Sequence, residues 1–349
     1  MGIQNSSLNA ETIKEILKDN YNIQVLKVEE INRGTANIFK INASDDKQYI
    51  LKEFSEGRTK ESVIKETDII NFLKDKNIKV PIYIKSKKND FYIEHNNRII
   101  ILQEFIDGYT MENNTGDYQK TIESATILGK MTKALKEYKG LEEEGIIEKW
   151  FSKESLQNGI IKMTDLKGKL NNDNPYKEIF SKDLDDKIKI SKELEENFDF
   201  NVIKKMTIMN THGDYSVQQL IYNDNSETTI IDFETAKKLP IIWEVMRSYS
   251  YIDKDAKDGN LNIDTLVEYV KEFSKFVKLN EYDLKYAAHM YLIQIVSSVF
   301  GYKQYNDDYQ KTGLLQFAFF RTNLCRFLYE NLNKISSILQ KEILDHTKE

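Results

Sequence analysis

The sequence predicts an α+β protein of two lobes: a small N-terminal lobe with an antiparallel sheet and a helix, and a larger, mainly helical C-terminal lobe. Three observations carry this. Short runs with period-two alternation, separated by turn residues, crowd into the first hundred residues. From Tyr118 onward, apolar residues recur mostly at helical spacing. A chain of 349 residues is long enough for two cores. The boundary is expected near residue 105, giving lobes 1–105 and 106–349.

Composition narrows the functional classes. Hydrophobic content of 40% and aromatic content of 11% fit a globular protein. Net charge is −6 with both signs interleaved, so no basic domain points to nucleic acid. No apolar run approaches ~18 residues, so no membrane span is expected. The N-terminus lacks a basic region followed by an apolar core, so no secretion signal is expected. Its Met-Gly start with Ser6 fits a short acylation pattern that is common by chance. Cys325 is the single cysteine, which cannot form an internal disulfide and fits a reducing cytoplasm.

In the N-terminal lobe, Asn9 caps a helix that places Ile13, Ile16 and Leu17 on one face. A strand is predicted over Tyr21–Glu30. The segment from Ile31 to Ile41 then reads as a turn entering a strand. In that turn Gly34 would let backbone approach a phosphate and Thr35 would add a hydroxyl donor, although with one glycine it equally describes a plain hairpin. In the next strand, Tyr49–Phe54, alternation puts Lys52 on the face of Ile50 and Phe54. A lysine there either aims at a bound anion or snorkels at the sheet rim. A helix over Lys60–Asn77 carries Glu66 among Val63, Ile64, Ile70, Phe72 and Leu73, where it could pair with Lys52 or remain solvated; Glu61 is a second candidate. A hairpin (Phe91–Glu94, Arg98–Gln103) leads to a strand end at Gln103–Gly108.

The most informative stretch is His212 to Glu234. An acid, Asp214, is followed five residues later by an amide, Gln219, and eighteen later by Asp232, at the end of a strand predicted over Thr228–Ile231. Phosphoryl transfer needs an alcohol aimed in line and metal ions to neutralise developing charge. Asp214 suits the first task. Asp232 is a hard carboxylate suited to Mg²⁺, and the Gln219 amide oxygen can complete the ion's shell. His212 is expected to hold the loop by hydrogen bonds. Asp and Gly are also ordinary turn residues, so either tripeptide alone would mean little.

Taken in order, the Gly34 turn, Lys52, Glu66, the 103–108 strand end, His212-Gly213-Asp214, Gln219 and Asp232-Phe233-Glu234 make the chain resemble the aminoglycoside phosphotransferase and choline kinase-like superfamily of small-molecule kinases. The resemblance runs from about Asn32 to about Tyr251, and its specific part is the pair of acidic tripeptides. It implies a protein kinase-like fold. It also implies transfer of the γ-phosphate of ATP, or of GTP, with Mg²⁺, to a hydroxyl of an aminoglycoside, amino alcohol or sugar-like molecule. Asp214 would be catalytic; Gly34, Thr35, Lys52 and Glu66 would hold the nucleotide; the Glu104 carbonyl and the Ile106 amide would meet the adenine; Gln219 and Asp232 would hold metal. Two positions depart from the family pattern: Gln219 stands where asparagine is usual, and Glu244 where aspartate is usual. The first motivates an alternative, a nucleotide-binding relative that serves as an assembly or spore-coat-type module. A protein kinase would carry arginine in place of Gly213 and glycine in place of Glu234.

Further along, Tyr118–Leu135 reads as a long helix, while residues 141–200 read as charged and mostly helical without a clear place. Glu244 would either buttress the catalytic loop, through Arg247, or lie exposed at a helix start. Three helices are predicted: Ile263–Phe276, Glu281–Tyr302 and Asp308–Glu342. For a polycationic acceptor, Asp253, Asp255 and Asp258 are candidates; for a quaternary ammonium, Trp243, Tyr249, Tyr251 and Tyr291. The sequence does not choose between them.

Overall fold

An asparagine at each end defines the first helix. Asn9 accepts a hydrogen bond from the Thr12 amide, and Asn22 turns left-handed at φ 57°, so α1 (Ala10–Tyr21) takes in Tyr21, and the strand predicted from Tyr21 begins instead at Val25. The computed structural model describes residues 6–31, 36–141, 145–223 and 227–344. Its strands are β1 (Val25–Ile31), β2 (Asn37–Ala43), β3 (Gln48–Glu53), β4 (Tyr92–His95), β5 (Arg98–Glu104), β6 (Ile208–Thr211), β7 (Leu220–Tyr222), β8 (Thr228–Ile230) and β9 (Lys237–Pro240). The chain divides into two compact units, Met1–Thr110 with Gln219–Thr235, and Met111–Gln218 with Ala236–Glu349.

In the first unit, β1 to β5 form one antiparallel sheet in the order β1-β2-β3-β5-β4. Alternation sorts its faces. Phe39, Ile41, Tyr49, Leu51, Ile100 and Leu102 pack on Ile13 and Leu17 of α1. Helix α2 (Lys60–Asp75) is capped by Thr59 and buries Val63, Glu66, Thr67, Ile69, Ile70 and Leu73. Ile64, one of the apolar positions read from the sequence, is 46% exposed, and Ile69 is buried instead. The β7–β8 ribbon belongs to this unit: Ile230 donates to Lys79, and Tyr109 and Tyr222 exchange backbone bonds at 2.9 Å. Gly108, at φ 148°, permits that approach, since a Cβ there would collide with the Tyr222 carbonyl.

The second unit is mainly helical. It contains α3 (Tyr118–Leu135), α4 (Ile146–Trp150), α5 (Lys153–Gly168), α6 (Lys177–Asn197), α7 (Ile241–Ile252), α8 (Ile263–Ser274), α9 (Glu281–Lys285), α10 (Ala287–Val296), α11 (Tyr302–Asp307), α12 (Thr312–Glu330) and α13 (Leu332–Leu344), with β6 paired to β9. Every residue of α7 except Arg247 is buried. The charged 141–200 region becomes α4 to α6, which turn Met163, Phe180 and Leu184 onto Tyr302 and Tyr305. The predicted helix over Glu281–Tyr302 is interrupted. It breaks at Tyr286 and ends at Val296, and Gly301, at φ 91°, caps the start of α11, where a Cβ would strike the Leu314 carbonyl. The predicted Asp308–Glu342 helix likewise breaks at Asn331. No helix among the described residues is long and apolar enough to cross a membrane.

Candidate active site

In the first unit, charge gathers around Lys52. This residue lies on β3, opposite Ile38 and Ile101, and is half-buried. Glu66 on α2 is 2% exposed. Its direct partners differ from the one predicted: Arg58 Nη2 lies 2.6 Å from one carboxylate oxygen, and the Tyr83 hydroxyl donates to the other at 3.0 Å. Lys52 acts on Glu66 through space, as does Asp232. Arg58 also pairs with Glu234 at 3.0 Å and lies over the Phe54 ring. One guanidinium therefore ties the start of α2 to the Asp232-Phe233-Glu234 segment, with Phe233 buried as its anchor. Arg58 was invisible to pattern reading, since it is a lone arginine in a loop just before the Thr59 cap.

Burial raises the pKa of Glu66; Lys52 and Arg58 pull it back and Asp232 pushes it further up. Glu234 is also raised, first by burial and then by Asp232, with Arg58 opposing. Lys52, Arg58, Glu66, Asp232 and Glu234 thus feel one another's charge.

Asp232 sits at φ 72°, in the left-handed region that few non-glycine residues occupy. The Ile231 amide donates to the Gln219 carbonyl at 2.9 Å, which brings Gln219 to the same end of the β7–β8 ribbon as Asp232. At the 103–108 strand end, the Glu104 amide donates to Ile82 and the Phe105 amide to Gln48. Glu104 is exposed and Ile106 half-buried. Gly34 and Thr35 lie outside the described residues.

In the second unit, β6 delivers His212-Gly213-Asp214. Glu244 on α7 is fully buried, not an exposed helix start, and it grips the loop by its backbone. It accepts from the His212 amide at 3.0 Å and the Gly213 amide at 2.7 Å. Gly213 is left-handed at φ 83°. Arg247, one turn along α7, also reaches the loop, although Glu244 holds it directly and not through Arg247. Arg247 donates to the Tyr215 carbonyl at 2.6 Å and pairs with the Asp214 carboxylate. His212 is buried, and its Nδ1 accepts from the Asp214 amide at 3.4 Å, a loop-holding role. Burial pushes the Glu244 pKa up to about 7, against the pull of the His212 and Gly213 amides.

Of the residues considered for the acceptor, Asp255 and Asp258 are exposed, whereas Asp253 and the aromatics serve the protein's own packing. Asp253 is 3% exposed and accepts from the Tyr249 hydroxyl at 2.6 Å. Trp243, Tyr249 and Tyr291 are buried, and Tyr251 already has the Arg247 guanidinium over its ring at 4.9 Å.

A model of the phosphotransferase enzyme family matches residues 27–269, more than half of the chain. The chain belongs to that family. No curated protein matches this phosphotransferase in sequence. Its fold is shared with solved structures at low identity. A spectinomycin phosphotransferase in complex with ADP and spectinomycin superposes with TM-score 0.64 at 16% identity, over 93% of this chain and 98% of that one. An aminoglycoside phosphotransferase from Alicyclobacillus acidocaldarius gives 0.66 at 15% identity, over 96% and 98%. A microcompartment-associated aminopropanol kinase gives 0.60 at 10% identity, over 94% and 99%. The protein kinase-like α+β fold expected from the sequence is the one observed.

Proposed function

We propose that this phosphotransferase moves the γ-phosphate of ATP to a hydroxyl of a small molecule. The observation that carries the reading is the first unit's charge cluster: a strand lysine, Lys52, in the field of Glu66 and of Asp232, at the end of a ribbon that also presents Gln219. Lys52 would hold nucleotide phosphates, and Glu66 would keep its ammonium oriented electrostatically while Arg58 holds Glu66. Residues 1–105 would bind the nucleotide, with Gly34, Thr35, the Glu104 carbonyl and the Ile106 amide as contacts. Residues 106–349 would supply catalysis and the acceptor pocket.

The donor set at Asp232 and Gln219 fits a hard divalent ion. A carboxylate and an amide oxygen are too few for an all-protein cage, which suits Mg²⁺, an ion that keeps waters and takes phosphate oxygens. When bound, Mg²⁺ would neutralise charge on the transferring phosphoryl group. Asp214 would orient the acceptor hydroxyl and take its proton, with Arg247 fixing the carboxylate and Glu244 fixing the loop.

Solved neighbours support a nucleotide donor and a hydroxylated acceptor. One holds ADP and spectinomycin, one is an amicoumacin kinase with AMP-PNP and Ca²⁺, and others are aminopropanol and ethanolamine kinases. We therefore place the acceptor among aminoglycosides, amino alcohols and sugar-like compounds, and the protein in the cytoplasm, where ATP is available. The test is Mg²⁺-dependent ATP turnover by the purified chain across such a library. Acceptor-dependent ADP release is expected; ATP binding without turnover on any member would overturn the transfer reading. GTP in place of ATP sets the donor preference.

A further inference from the structure

Strand β6 leads into the catalytic loop at one end and lines a cavity of about 620 Å³ before it gets there, entirely within the second unit. Five lysines border this cavity: Lys133 on α3, Lys136 and Lys139 just beyond it, Lys238 on β9 and Lys278 after α8. Glu137 is the one acidic residue among the described lining. The chain as a whole carries −6, so this concentration of ammonium groups runs against the protein's overall sign.

Helix capping does not account for it. Lysines at a helix C-terminus can complement its dipole. Here the Asn210 side chain donates to the carbonyls of Leu135 and Tyr138 at 2.8 and 2.6 Å, and the Tyr138 amide closes onto Leu135 at 3.0 Å. The Thr132 and Leu135 carbonyls at the end of α3 are therefore already satisfied, and Lys238 and Lys278 come from other elements. Mutual repulsion among five ammonium groups is relieved by a bound anion. Lysine is a point-charge phosphate binder with a flexible stem. Met209, Phe276 and Val277 add apolar lining. The volume lies in the range of small-molecule sites, above the need of a lone inorganic anion.

We propose that this cavity binds a soluble, multiply phosphorylated small molecule, its phosphates on the lysine rim and its less polar body against Phe276 and Met209. The site is separate from the one assigned to the transferred phosphate, which uses Lys52 and Asp232.

Inorganic tripolyphosphate is the probe, titrated calorimetrically into three full-length proteins. The unaltered chain and Asp232→Asn should both bind it, with affinity falling steeply as salt rises. Lys136→Glu/Lys278→Glu should lose at least tenfold in affinity at the site that persists in Asp232→Asn, while its Mg²⁺-ATP affinity stays within twofold of the parent. Lys136→Gln/Lys278→Gln, which removes charge without reversing it, should show an intermediate loss with an unchanged unfolding midpoint. Tripolyphosphate binding that vanishes in Asp232→Asn, or that survives the double charge reversal intact, would overturn the proposal. So would tighter capture by phosphatidylserine vesicles than by tripolyphosphate, since that would mark a lipid surface.

Discussion

Among the buried glutamates of the described residues, Glu66 in the first unit and Glu244 in the second are satisfied in opposite ways. Glu66 is held by side chains, the Arg58 guanidinium and the Tyr83 hydroxyl. Glu244 is held by the backbone, through the amides of His212 and Gly213. Burial raises the pKa of both. The side-chain network joins separate charges into a field, which suits a place where a charged ligand arrives. The backbone clamp fixes chain conformation, which suits a loop that must aim one carboxylate. An acid's partners thus tell whether it tunes charge or shape.

The comparison can be broken most forcefully at the backbone clamp. Glu244→Ala orphans two buried amides, at roughly 1–3 kcal/mol each, so chemical denaturation should show a loss of about 2–6 kcal/mol. A loss under 0.5 kcal/mol would mean the loop holds itself. Arg58→Ala leaves Glu66 buried without its cation. Breaking a buried pair costs about 3–5 kcal/mol, and the nucleotide affinity should fall with it, because the field around Lys52 changes. An Arg58→Ala protein of native stability would show that Tyr83 alone suffices.

Asp214→Asn separates the units functionally. Transfer should drop on the order of a thousandfold, while ATP affinity, proposed to be set in the other unit, stays within about threefold. Retained transfer would remove Asp214 from the base role. The pH dependence of stability sharpens the comparison further. The folded pKa of Glu244, about 7, lies above its ordinary value of 4.5. Its contribution is therefore complete below about pH 4.5 and is lost as pH rises through 7, by on the order of 3 kcal/mol. Glu244→Gln should flatten that slope in a pH series of denaturation curves; an unchanged slope would assign it to another group. The smallest effect is expected at Gln219→Asn. It shortens the amide proposed to face the metal by one methylene, and a rise of a few-fold in Mg²⁺ affinity is the predicted outcome, read as the Mg²⁺ concentration for half-maximal ATP turnover.

Much of the fold was legible because its signals are local. Alternation in β3 placed Lys52 on a face, and the spacing from Asp214 to Asp232 survives any packing detail. Asn9 announced α1. Illegible were features decided by where chains meet in three dimensions. Lys52 and Arg58 were equally available cations for Glu66, and no periodicity distinguishes them. Whether Glu244 faced solvent or backbone depended on the burial of α7, which its apolar run made plausible but did not require. The helix ends at Tyr286, Ser297 and Asn331 are set by local capping, and a helical pattern reads straight through all three.

One consequence follows from the backbone at Asp232. At φ 72° this L-residue occupies a conformation that alanine resists and that asparagine, like aspartate, tolerates. Alanine scanning would therefore inflict two injuries there, loss of the proposed metal ligand and a disfavoured kink, and would overstate the part played by charge. Asparagine isolates the electrostatic part, and the difference between glycine and alanine, both without the carboxylate, measures what handedness alone contributes.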